Sequence, residues 1–247
     1  LMRQTRILFR EWSRCRDGTI TRKIMKRRLE PVRGEVESLL LRGAFSQRHR
    51  GLLEPGNQVT AKWQARLADH LGTYSCELMA AHSARLLDDP DRLAALSAAA
   101  AICEEALPER EAHPVCYDAF LALIEALEGP HWAETYVRWE LGILGELGFG
   151  LDLSNCAAGG DNNQLAYVSP RSGRAVSLSA AEPYSDRLLA LPGFLAGGGQ
   201  GGRAEVAQGL RLTGYFFERH IFHPRERQLP AARLRLQERF PLAGDAP

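Results

Sequence analysis

From Gln58 the chain alternates cleanly. Val59, Ala61, Trp63 and Ala65 fall on one side, and Gln58, Thr60, Lys62, Gln64 and Arg66 on the other. That is the pattern of a half-buried strand with one solvated face. After a turn over residues 67–72, a second alternation sets Tyr74, Cys76 and Leu78 against Thr73, Ser75 and Glu77. Ahead of both strands, Glu54-Pro55-Gly56-Asn57 places Pro beside Gly and signals a turn. The two strands are expected to form part of a small antiparallel barrel.

Past residue 81 the period lengthens. Leu86, Leu87, Leu93, Leu96, Ile102 and Leu107 suit one helix, or two broken at Pro90. Pro114 occupies a first-turn position, and Val115, Ala119, Phe120, Leu123, Ile124 and Leu127 follow at helical spacing until Gly129-Pro130. Trp132, Tyr136, Trp139, Ile143, Leu144 and Leu147 mark a further helix, with Gly148 as its C-terminal cap. Apolar stripes this wide imply helices packed on one another.

Residues 150–177 are irregular, with Tyr167-Val168 and Ala175-Val176 placed to pair as a short hairpin. A helix is expected to resume over residues 184–189. The glycines of residues 197–202 make a flexible loop. Residues 205–222 read as another helix, with Leu210, Thr213, Phe217 and His220 on one side and Pro224 stopping it, and residues 231–240 as the last. Residues 1–41 hold neither period for long; a short helix over residues 34–41 is the one element that suggests itself. There is no internal repeat.

Composition is that of an ordinary globular protein, 45% hydrophobic and 25% charged, with enough apolar material for a sizeable core. The longest apolar run, residues 98–103, is far short of the ~20 residues that span a bilayer. No apolar signal-peptide core follows the N-terminal basic residues, so a cytoplasmic location is expected. The five cysteines, Cys15, Cys76, Cys103, Cys116 and Cys156, are scattered and include no CxxC pair. Buried or idle thiols in a reducing compartment are expected rather than a disulfide framework or a four-thiolate zinc site.

Charge changes the picture more. The net charge is +1, yet residues 1–50 contain 14 Lys and Arg against 5 Asp and Glu, a balance of +9 that leaves −8 for the remainder. A basic end on an acidic body points to a polyanion partner at that end, or to a solubilising tail. Arg42, Arg48 and Arg50 sit on a loop that leads through the turn into the strand whose outward face carries Lys62 and Arg66. A barrel with cations on one face and on its adjoining loop can track a phosphate backbone without reading bases. The bland alternative is a merely solvated face.

Other motifs carry less. The glycine run lacks a preceding strand and a following Lys-Ser/Thr, so it is a surface linker rather than a phosphate loop. His220 and His223, with Glu218 nearby, could share a metal but have no evident third ligand, and HExxH is absent. No GxSxG elbow occurs. Trp132, Tyr136 and Trp139 could stack bases, but at helical spacing amid Ile143 and Leu144 they read as core.

Three longer segments stand out: Leu147-Gly148-Phe149-Gly150-Leu151-Asp152-Leu153-Ser154-Asn155-Cys156, then Tyr167-Val168-Ser169-Pro170-Arg171-Ser172-Gly173-Arg174-Ala175-Val176, then Gly214-Tyr215-Phe216-Phe217-Glu218-Arg219-His220. Together they resemble the RecO family in its alphaproteobacterial branch. Arg42-Gly43 with Leu53-Glu54-Pro55-Gly56-Asn57 fits the family's first domain, and the likeness covers about residues 42–225. It implies an α+β chain: an N-terminal OB-fold β-barrel (residues 1–80), then an α-helical domain (residues 81–247) with an irregular insert (residues 150–177) where some members hold a zinc knuckle. It further implies a mediator of RecF-pathway repair that binds and anneals single- and double-stranded DNA. Such a protein assists RecA loading with RecR and the tail of single-stranded-DNA-binding protein, and is not an enzyme. An apolar groove with a basic rim on the helical domain would suit that acidic, Phe-ending tail.

Two departures from the family pattern matter. Of the four zinc thiolates only Cys156 remains, so no metal and no cofactor is expected. Residues 1–41 lack the alternation of barrel strands, as a shifted reading frame, a misplaced start or extreme divergence would produce, and they are expected to leave the barrel incomplete. Arg42, Arg48, Arg50, Lys62 and Arg66 are the expected phosphate contacts. The rivals are a protein-interaction scaffold that does not itself bind DNA, and an enzyme with a dispersed site around His220, His223 and Glu218.

Overall fold

Five strands open the chain in the computed structural model: β1 (Met2–Arg14), β2 (Ile20–Arg28), β3 (Arg33–Leu40), β4 (Gln58–Gln64) and β5 (Thr73–Ala80). The structure describes residues 2–14, 20–28, 33–40, 51–52, 54–64, 73–108, 111 and 113–242. The strands pair in the order β3-β2-β1-β4-β5, each neighbour antiparallel. Residues 2–14, 20–28 and 33–40 are thus paired strands where the sequence shows no alternation, and the helix suggested over residues 34–41 is corrected by strand β3 over Arg33–Leu40.

The register shows why the alternation was missed. Phe9 pairs with Ile24 and Trp12 with Arg22, so β1 carries one extra residue between them. This bulge brings Ile7, Phe9 and Trp12 to register positions of one face although their sequence parity differs. Partners distant in sequence also specify β2 and β3: Lys26 lies opposite Glu35, an opposite-charge pair of the kind that favours a ladder. β4 and β5 form where the alternation places strands, with Val59 fully buried, but Leu78 on the expected apolar side is 46% exposed.

The turn before β4 is tied to the first helices. Asn57 is fully buried. Its Nδ2 donates to the Gly51 carbonyl at 2.8 Å, and its Oδ1 accepts from the Ser83 backbone N–H at 3.1 Å and hydroxyl at 3.0 Å. Gly56 has φ 78°, and a Cβ there would come within 2.5 Å of Leu96 Cδ1. Both the backbone conformation and the close approach call for glycine.

Helices α1 (His82–Arg85), α2 (Pro90–Ala106) and α3 (Pro114–Ala126) follow. The break at Pro90 is as the sequence indicates. Pro90 opens α2 behind Asp89, whose carboxylate accepts from the Asp91 and Arg92 N–H groups at 3.1 Å each. The apolar run of residues 98–103 is core: Ala98, Ala99, Ala100, Ala101, Ile102 and Cys103 are all buried. α2 lies against β1, and α3 against β2 and β3. Strand gives way to helix after Ala80, but because these helices cover the sheet the first compact unit runs over residues 1–128 and the second over 129–247.

In the second unit, α4 (Trp132–Glu146) packs on α6 (Arg203–Phe217). Between them lie β6 (Leu165–Val168), β7 (Ala175–Ser177), α5 (Leu178–Ala181) and β8 (Leu189–Ala190), with the strands ordered β7-β6-β8. The expected hairpin is present, but the helix anticipated over residues 184–189 is replaced by α5, a 3-10 segment over Glu182–Arg187 and β8. Tyr136 and Trp139 are buried, so the aromatic stripe of α4 is core. Trp132 meets Phe240 edge to face at 6.0 Å. α6 runs into a π turn, Glu218–Phe222, and α7 (Ala231–Glu238) completes the unit.

Beneath these helices is a closed polar network. Arg233 and Glu140 are both fully buried. Arg233 Nη2 donates to Glu140 Oε2 at 3.0 Å and to the Leu210 carbonyl at 2.7 Å, and the Tyr136 hydroxyl donates to Glu140 Oε1 at 3.0 Å. Burial opposes the Arg233 charge, and the Glu140 carboxylate outweighs it and holds the pKa above the ordinary arginine value. No helix among the described residues is long and apolar enough to cross a membrane.

Candidate functional site

Of the five cations expected to meet phosphate, Arg42, Arg48, Arg50 and Arg66 lie outside the described residues. Lys62 falls in β4, at a register position between Gln4 of β1 and Ser75 of β5. The adjoining row on the same face reads Arg33, Arg27, Arg6, Thr60 and Glu77 from β3 to β5. Three arginines thus stand at directly opposed positions across three strands, on the face opposite that of the buried Val59. Sequence reading missed them because the strands that align them were not legible.

A second constellation lies wholly within residues 129–247. Gly148, at φ 86°, ends α4; its N–H donates to the Gly145 carbonyl at 3.0 Å and that of Phe149 to the Leu144 carbonyl at 2.8 Å. This double-bonded helix end fixes Phe149 just beyond α4. The Phe149 ring stacks on His220 at 4.8 Å and 14°, and His220 stacks in turn on Phe216 at 5.9 Å and 8°. Phe216 is buried, His220 half-buried, and Phe149 38% exposed, so the stack leads from core to surface. Tyr215 meets Phe216 edge to face at 5.3 Å, and Arg219 Nη1 donates to the Tyr215 hydroxyl at 2.9 Å.

The hairpin turn closes on the same place. A Cβ at Gly173 would lie 3.7 Å from Phe216 Cε1. Arg171 and Arg174 flank that glycine and are exposed, with Arg174 Nε 3.4 Å from Asp152 Oδ2. The three segments that carry the family resemblance in the second half of the chain, around Phe149, Gly173 and Phe216, therefore meet in one patch. Partial burial, with Arg219 adding to it, lowers the His220 pKa, so the ring is neutral at neutral pH.

His223 is exposed, and His220 is held in the stack. Among the described residues no group of three or more His, Cys, Asp or Glu side chains gathers as a metal site. Cys156, in the insert, is buried beside Ser177, whose backbone N–H donates to Sγ at 3.3 Å and whose Oγ lies 3.5 Å away. The Ser177 hydroxyl first, and then the backbone N–H groups of Ser177, Ala158 and Gly160, bring this thiol down to a pKa of about 7 against the effect of burial. A recess of about 500 Å³ opens alongside, lined by residues that include Asp152, Ser154, Asn162 and Leu165.

Comparison with known proteins places this geometry. The family model described as "Recombination protein O C terminal" matches residues 87–229. The chain is 60% identical over 203 residues to "DNA repair protein RecO" of Rhodospirillum centenum, covering 81% of each chain. It is 52% identical over 209 residues to the protein so named in Rhodospirillum rubrum, covering 81% of this chain and 83% of the relative. The likeness to that of Phenylobacterium zucineum is 52% over 204 residues, covering 82% and 84%.

Proposed function

This chain belongs to the RecO family of DNA repair and recombination proteins, and from that premise we propose that it acts as a DNA-binding mediator without bond-breaking chemistry. In this reading it holds single- and double-stranded DNA by charge and brings complementary strands into register. It admits RecA together with RecR and the tail of single-stranded-DNA-binding protein.

One observation carries the reading: the row of Arg33, Arg27 and Arg6 across β3, β2 and β1, with Lys62 one row along. Opposed cations are an unfavourable way to decorate a strand ladder unless a polyanion sits over them. The strand order β3-β2-β1-β4-β5, with β3 and β5 approaching each other, is compatible with a five-stranded, partly open OB-type barrel, a scaffold that tracks single strands along such a face. Arg42, Arg48, Arg50 and Arg66, which lie outside the described residues, are further candidates for phosphate contacts in this reading.

The test is fluorescence anisotropy with oligo-dT over a salt series. Replacing Arg6, Arg27 and Arg33 by Ala removes three phosphate contacts. The log-affinity against log-salt slope is then expected to become shallower by about 2, at roughly 0.7 per contact for a single strand. A slope equal to that of the wild type would count against the sheet as the DNA face and favour the protein-interaction scaffold.

A further inference from the structure

We propose that the Phe149–His220–Phe216 stack is a second nucleic-acid contact, in which Phe149 takes an unpaired base on its ring and the surrounding arginines take the flanking phosphates. The proposal deepens the DNA-binding reading above and rests on it, but it concerns a different surface, in residues 129–247.

Geometry points to a base rather than to another occupant. Rings packed only for stability end inside; here the order of burial runs the other way, from Phe216 at 1% exposure to Phe149 at 38%. The three planes are nearly parallel, at 8° and 14°, so a further planar ring over Phe149 continues the series. Every base has a π face, and stacking on an aromatic side chain is indifferent to sequence, as a protein that handles arbitrary strands requires. The platform is also stiff. Phe149 is the third residue past Glu146, at a helix end closed by two backbone hydrogen bonds, and the ring beneath it is set on the π turn that continues α6. A preorganised platform loses little freedom when a base settles on it.

Charge around the stack is of the matching sign. Arg219 neighbours His220 and is exposed, with Tyr215 holding its guanidinium. Arg171 is exposed on the turn that packs against Phe216. Asp152 partly neutralises Arg174, which leaves the exposed Arg171 and Arg219 as the phosphate ligands on this reading. The uncharged His220 ring suits a stacking role, because an imidazolium sandwiched between two phenyl rings would be partly desolvated.

The full chain is bound to oligo-dT in which one thymidine is replaced by 5-iododeoxyuridine, irradiated, digested and mapped by mass spectrometry, with affinity read in parallel. The expected cross-link falls on Phe149, or on Tyr215 or His220 beside it. Phe149→Ala is expected to abolish it and to weaken binding roughly fivefold or more, at about 1 kcal/mol or more per stacked base. Phe149→Trp is expected to restore both, which separates stacking from damage to the fold. Arg6, Arg27 and Arg33 replaced together should weaken binding while leaving this cross-link in place. Cross-links confined to residues 1–64, with Phe149→Ala binding as the wild type does, would overturn the second contact and leave the patch to a protein partner, while the sheet reading survives. Failure of the wild-type chain to bind oligo-dT at all would overturn both.

Discussion

Residues 1–128 and residues 129–247 both use arginine, to opposite ends. In the first, Arg6, Arg27 and Arg33 share one register row, with Glu77 of the outer strand β5 the only acid in it. In the second, Arg233 is sealed in the core and hydrogen-bonded to Glu140, Thr213, Gln237 and the Leu210 carbonyl, while Arg171 and Arg219 stand at the surface beside a stack of rings. Counting arginines along the chain cannot separate these cases. What separates them is where the fold places each one, on a row of the first sheet, in a sealed core or beside an exposed ring.

The sharpest way to break the contrast is to remove one half of the buried pair. Arg233→Ala or Glu140→Ala leaves an uncompensated charge inside and is expected to cost about 3–5 kcal/mol, read from urea or thermal unfolding. Replacing both by apolar residues of similar size should cost far less. If the single variants unfold as the wild type does, the network is not what closes the second unit.

A smaller loss is expected in the first unit. Asn57→Ala strands the Gly51 carbonyl and the Ser83 donors, and should lower stability by about 1–3 kcal/mol. Asp89→Ala, which removes the cap of α2, should cost about 1 kcal/mol, with Asp89→Asn retaining most of it. An Asn57→Ala variant as stable as the wild type would show that water replaces the amide.

Titration gives the finest comparison. Burial lowers the pKa of His82 in the first unit and of His220 in the second. A histidine whose folded pKa is depressed is protonated first in the unfolded chain. Its contribution to stability is therefore complete above the ordinary histidine value of about 6.5 and is lost as the pH falls from there towards the folded value. Unfolding midpoints measured between pH 7 and pH 5 should fall, and less steeply in His220→Gln. Cys156 behaves in the opposite range: with a folded pKa of about 7, its contribution grows as the pH rises from there to the ordinary thiol value. Thiolate absorbance should show one group titrating near neutrality, and Ser177→Ala should move that group upward. An unmoved titration would mean that Ser177 is not the cause.

The two units also differ in how legibly the sequence writes them. Helical stripes such as Tyr136, Trp139, Ile143 and Leu144 on α4 are local, so burial follows from spacing alone. The hairpin around Gly173 was legible for the same reason. β1 was not: its bulge between Phe9 and Trp12 breaks the two-residue period, and its partners β2 and β4 fix a register that no window of β1 contains. The arginine row was hidden with it. The Phe149–His220–Phe216 stack joins residues about 70 positions apart, and the only sequence trace of it was that three family-like segments recur in order.

The most direct test of DNA held by charge on the sheet and by stacking on the second unit is one salt series with oligo-dT, run on the wild type, the Arg6/Arg27/Arg33→Ala variant and Phe149→Ala. The account predicts a flattened salt slope in the first variant, and in the second a weaker affinity at an unchanged slope. Both variants binding like the wild type, in slope and in affinity, would contradict it.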